Sequence, residues 1–108
     1  MSGVWSDSRD LQLSSVVFYT TSYAGADAAP VIRLGAATID AMLSNIQCEE
    51  FGGAARASYC LQIDPGATGV LATNVNARYV RHSAVANLGG VGVSAVNLIE
   101  PDGAVTKR

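Results

Sequence analysis

ARYVRHSAVANLGGVGVSAVNLIE, residues 77–100, is the stretch on which the reading of the fold turns. Two runs rich in Val and Ala flank a short Asn/Gly segment, the pattern of two strands joined by a tight turn. The expectation is a β-hairpin. Val91, Val93 and Ala95 would share one face, and Gly92, Ser94, Val96 and Leu98 the other. Both faces are apolar enough to be covered, which a lone edge hairpin in water would not need.

Outward from that stretch the chain keeps a β character. Leu11 to Thr20 carries alternating Leu11 and Leu13, then Val16 to Tyr19, with Ser14-Ser15 breaking the pattern as a bulge would. Val31 to Leu34 begins a second short strand. Ser58 to Ile63 alternates, with Tyr59, Leu61 and Ile63 on one face, and Asp64-Pro65-Gly66 supplies a turn. Val70 to Thr73 is another strand, turned by Asn74-Val75-Asn76, and Glu100-Pro101-Asp102-Gly103 ends the last one.

Residues 38–50 divide the readings. Ile39, Met42, Leu43 and Ile46 stand at i, i+3, i+4 and i+7, one helical face. Thr38 would be its N-cap, and Gly52-Gly53 would stop it. The competing reading is a strand from Met42 to Phe51; the expectation favours a short helix. No internal repeat is legible. The sequence predicts a mainly β fold, a small sandwich or barrel of about 6–8 short strands with at most one short helix near 38–50. Residues 1–10 read as an N-terminal arm, 11–103 as one domain, and 104–108 as a polar tail.

The 108 residues carry 7 basic and 9 acidic side chains, a net charge of −2. Charged residues are 15% of the chain, against about 25% in an ordinary soluble domain, and mean hydropathy is +0.25. Such a surface is expected to be covered in part by other subunits. Arg9, Arg33, Arg56, Arg78, Arg81, Lys107 and Arg108 are scattered, so no basic stripe offers a nucleic-acid interface. No apolar run reaches the ~18 residues of a membrane span. The opening MSGVWSDSRD is polar and acidic where a signal peptide is basic and then apolar, which predicts a cytoplasmic chain or one released by lysis.

Chemistry-bearing residues are few. His82 has no nucleophile elbow or orienting carboxylate near it in the sequence. Glu49 and Glu50 read as a solvated acidic edge. Gly89, Gly90 and Gly92 lie between two strands, not between a strand and a helix, and so do not form a dinucleotide fingerprint. Cys48 and Cys60 fit no zinc spacing. Free, half-buried thiols are the expectation, a disulfide requiring Cα atoms within ~7 Å. Tyr19, Tyr23, Tyr59, Tyr79 and Trp5 are dispersed, a pattern more usual for core or interface packing than for a sugar site. No catalytic, cofactor or metal residue is assigned. Val4 and Trp5, apolar in a polar arm, are interface candidates, together with Val91, Val93, Val96 and Leu98 of the hairpin.

Two resemblances follow. ARYVR (77–81) with GVGVSAVNLIE (90–100) resembles the closing strands of discoidin-type galactose-binding domains, which implies a jelly-roll fold and a glycan ligand. The whole chain is similar in style to small accessory proteins of tailed-phage virions: short, rich in Ala, Gly and Thr, low in charge and mostly β. That implies decoration, head–tail or tail-surface work. The expected function is a non-enzymatic structural subunit of a multi-protein assembly, a virion accessory protein assembled in the host cytoplasm. Its partners would be other subunits, copies of itself included, with no nucleic acid, membrane or cofactor. The alternative is a carbohydrate-binding, discoidin-like module.

Overall fold

In the computed structural model, residues 4–19, 30–49 and 57–108 are described. Nine strands run through them: β1 (Val4–Ser6), β2 (Gln12–Tyr19), β3 (Ile32–Leu34), β4 (Met42–Glu49), β5 (Tyr59–Ile63), β6 (Leu71–Asn76), β7 (Ser83–Asn87), β8 (Ser94–Ile99) and β9 (Val105–Thr106). Four strands make one sheet in the order β1-β3-β5-β7, and five make another in the order β2-β4-β6-β8-β9. Every pairing is parallel except β8 with β9.

A parallel pair needs a crossover between its strands. Here a strand of the facing sheet provides it: the chain lays down β1, crosses to β2, returns as β3 above β1, and so climbs. The result is a coil of four turns, a parallel β-solenoid, in which each turn contacts only its neighbours. The mainly β expectation therefore holds, with the strands in two sheets. The connectivity is that of a coil, and the described residues alone hold nine strands, where about six to eight were expected.

The coil exposes the repeat that the sequence reading missed. Leu13, Leu43, Ala72 and Ala95 stand in register, as do Val16, Ile46, Val75 and Leu98. Between these two inward rows lies a left-handed residue in every turn: Ser15 (φ 57°), Asn45 (53°), Asn74 (56°) and Asn97 (58°). One such residue shifts the alternation, so two side chains three apart both point inward. That corrects the helix expected near 38–50, where β4 lies instead and no helix occurs among the described residues. Leu43 and Ile46 mimic helical spacing because Asn45 interrupts a strand. Met42, on the supposed helical face, is 52% exposed. The break foreseen at Ser14-Ser15 is the same device.

The hairpin is corrected too. β7 and β8 belong to different sheets, each pairing with the strand one coil back rather than with the other. The segment between them is a corner. The Asn87 side-chain oxygen accepts from the N–H groups of Gly89 (3.2 Å) and Gly90 (2.7 Å). A second left-handed column, Asp10, Asp40, Gly69 and Gly92, turns the chain into the second sheet at every level. Gly69 holds φ +67°, where a side chain is strained, and a Cβ there would stand 2.5 Å from the Asp40 carboxylate.

The core lies between the sheets, with Ile32, Leu34, Ile46, Leu61, Ile63 and Leu98 fully buried. Cys48 and Cys60 are buried and joined as a disulfide, Cα atoms 5.9 Å apart. The expectation of free thiols is corrected: the spacing that fits no zinc site carries the chain from one sheet to the other. Val4–Ser6, expected in an arm, is instead the first strand of a sheet, and Val105–Thr106, expected in a tail, is the last.

Candidate interaction surface

A coil has two ends, and these two are built differently. At the C-terminal end the chain turns at 100–103 and lays β9 antiparallel along β8. Arg108 then clamps Ala95 through two main-chain hydrogen bonds, 2.9 and 2.6 Å. Glu100 caps one donor on the terminal strand of the other sheet. Its buried carboxylate accepts from the Ala84 N–H at 2.8 Å on β7 and from the Thr106 hydroxyl at 2.5 Å. The Arg108 guanidinium lies 3.6 Å from the second oxygen of the same carboxylate. A buried carboxylate is tolerated when it is paired and hydrogen-bonded in this way. Terminal capping of this kind is what a stacked-coil protein needs to end in water.

The N-terminal end has no such cover among the described residues. β1 and β2 are the terminal strands of their sheets. The Val4 N–H bonds to Val31, and the Ser6 carbonyl accepts from Gly35. In a parallel ladder the intervening residue faces the other way, so the main chain of Trp5 is directed off the end of the stack. The Leu11 carbonyl accepts from Met42, which by the same alternation turns the Gln12 main chain outward. Side chains tell the same story. Leu13 and Val16 stand in register with the buried Leu43 and Ile46. Yet they, with Val4, Leu11 and Phe18, are only partly buried. They are core residues of a turn that, among the described residues, has a neighbour on one side only.

The predicted interface residues separate on this frame. Val4 and Trp5 lie on the open end, Trp5 65% exposed with the Arg33 guanidinium 4.8 Å from its ring centre. Val91 (69%) and Val96 (37%) are exposed, but on the corner and outer face of the last turn. Val93 packs against the core, and Leu98 is wholly buried in it, so Leu98 offers nothing to a partner. Sequence reasoning missed Leu11, Leu13, Val16 and Phe18 as an end row, and Glu100 as a cap. The signal was present: Asp or Gly followed at a constant distance by Ser or Asn, at Asp10–Ser15, Asp40–Asn45, Gly69–Asn74 and Gly92–Asn97.

Along the outer face of the second sheet the left-handed residues form a ladder. Asn97 donates to Asn74 at 2.6 Å and Asn74 to Asn45 at 3.0 Å, with Ser44 bonded to Ser14 beside them. A groove of about 250 Å³ beside this ladder is lined by Asn74, Asn76, Asn97, Ile99 and Val105. It falls short of the ~300–1,000 Å³ usual for small-molecule sites. His82 lies against Tyr59, ring centres 5.7 Å apart. Arg33 and Gln62 both bond to Asp64, at 2.9 Å each, on the outer face of the first sheet. Among the described residues no three His, Cys, Asp or Glu are grouped to hold a metal ion. No protein-family model, curated protein or solved structure matches this chain.

Proposed function

We propose that this chain is a non-enzymatic structural subunit of a multi-protein assembly, a virion accessory or decoration protein that joins its neighbours through the N-terminal end of its coil. The observation that carries the reading is the asymmetry of the two ends. One is sealed by β9, Arg108 and Glu100, while the other keeps Leu11, Leu13, Val16 and Phe18 half-covered. Covering that end would return about 25 cal/mol per Å² of apolar surface. The low charge, 15% of residues, points the same way.

The buried Cys48–Cys60 bridge agrees with a protein that works outside a reducing compartment, virion surfaces included. On this reading the chain is made and assembled in the host cytoplasm and its disulfide closes on the particle. Mass spectrometry of purified particles tests it: the chain should be recovered in fixed ratio to the other structural proteins. A chain absent from every particle would refute it.

A second reading, a glycan-binding module, is favoured by one observation. Trp5 offers an exposed ring stacked by Arg33, which itself bonds to Asp64. Aromatic rings flanked by polar groups suit sugars. Binding on a glycan array that disappears with Trp5→Ala would support it.

A further inference from the structure

We propose that the open end is covered by a second copy of this chain, the two coils meeting N-terminal end to N-terminal end about a two-fold axis that lies along the strands. The inference rests on the structural-subunit reading and names the partner at the same surface.

Three observations select this occupant. The first is the seal at the far end. The β8 edge is taken by β9, and the Ala84 N–H of β7 is taken by Glu100. Among the described residues the N-terminal end is therefore the less covered of the two, which favours like ends meeting over head-to-tail stacking. Like ends meet about a two-fold, which closes the assembly at two and builds no filament.

The second is direction. A two-fold along the strands carries β1 of one copy over β2 of the other with their directions opposed. The outward main-chain groups of Trp5 and Gln12 then meet an antiparallel edge, a pairing slightly more stable per residue than the parallel one.

The third is charge. The turn between β1 and β2 holds Asp7, Arg9 and Asp10, all exposed. The same axis places turn over turn, so Arg9 of each copy faces carboxylates of the other. An isologous contact needs this self-complementarity, and the turn contains both signs.

The half-buried Val4, Leu11, Leu13, Val16 and Phe18 of the two copies would then close into one core, continuous with the columns below. Trp5 would sit at the rim with its ring against the neighbouring strand.

Sedimentation equilibrium of the full chain across concentrations reads the result. The expected mass is twice that of the chain, with no larger species. Gln12→Pro removes one outward N–H at an edge that tolerates proline. It should weaken the dimer by about tenfold or more with an unchanged circular dichroism spectrum. Arg9→Asp makes the turn wholly acidic and should also give monomer; it lies on the exposed turn and serves if the proline variant does not fold. Lys107→Glu, at the sealed end, should leave the dimer intact.

A monomer at all concentrations, an open-ended series of masses, or a dimer moved only by Lys107→Glu would each overturn the proposal. A monomer that is nonetheless recovered in particles would refute self-pairing and leave the structural-subunit reading standing, the end being covered by another protein. A dimer absent from particles would do the reverse.

Discussion

Asn74 holds a left-handed backbone at φ 56° and spans the ladder, donating to Asn45 and accepting from Asn97. Asn adopts this conformation more readily than residues with apolar side chains. Asn74→Ala should lower stability by about 1–2 kcal/mol, from backbone strain and two lost hydrogen bonds. Asn74→Gly should lose less, because glycine takes a positive φ freely. Urea unfolding midpoints of the two variants decide the order; equal losses would mean the backbone conformation is not the cause. Glu100 works by a different route. Removing its side chain leaves the Ala84 N–H without its acceptor, so Glu100→Ala should be destabilising by about 2 kcal/mol. Glu100→Gln retains an acceptor and should lose less. These residues were present in the sequence as ordinary polar letters. Asn74 was read as part of a turn, when it is a single left-handed step inside a run that continues to Val75 and Asn76 as strand.

At the level of elements, the strands were legible and their partners were not. Alternation in Ser58–Ile63 fixes a strand whatever lies beside it, and β5 is there. Pairing is a property of the next turn of the coil, and intervening segments of unequal length hide its period. The inward rows also change identity, from Leu13 and Leu43 to Ala72 and Ala95, so they carry no constant letter through the four turns. The Asn-Gly stretch at 87–92 satisfied the local rule for a hairpin. In the fold β8 pairs instead with β6, in a different sheet from β7. The disulfide belongs to this scale, since it ties the end of β4 to the start of β5 across the sheets. Its loop is short, and by the chain-entropy account it contributes about 3 kcal/mol. Reduction, or Cys48→Ser with Cys60→Ser, should lower the urea midpoint accordingly while leaving the β-type circular dichroism in place. An unchanged midpoint would show that the bridge does not form.

For the whole molecule, the described residues make a four-turn parallel coil that is capped at one end and uncovered at the other. Stability in such a stack is a sum of neighbour contacts, so the end turn with one neighbour should be the least protected. Low charge and an uncovered apolar end belong together on this view, and composition alone made half of that readable. Deleting β9 and the residues after it should unseal the second end: the truncated chain is expected to aggregate at concentrations where the intact chain stays dispersed, which light scattering would register.

Amide hydrogen exchange, resolved by residue in dilute solution, tests the claim most directly. Trp5 and Gln12 should exchange fast, their N–H groups facing off the open end. Met42, the register partner of Gln12 on the next turn of the coil, and Ala95, clamped by Arg108, should exchange slowly. If Gln12 were protected as strongly as Met42 in the dilute chain, the end would not be open and the account would be wrong.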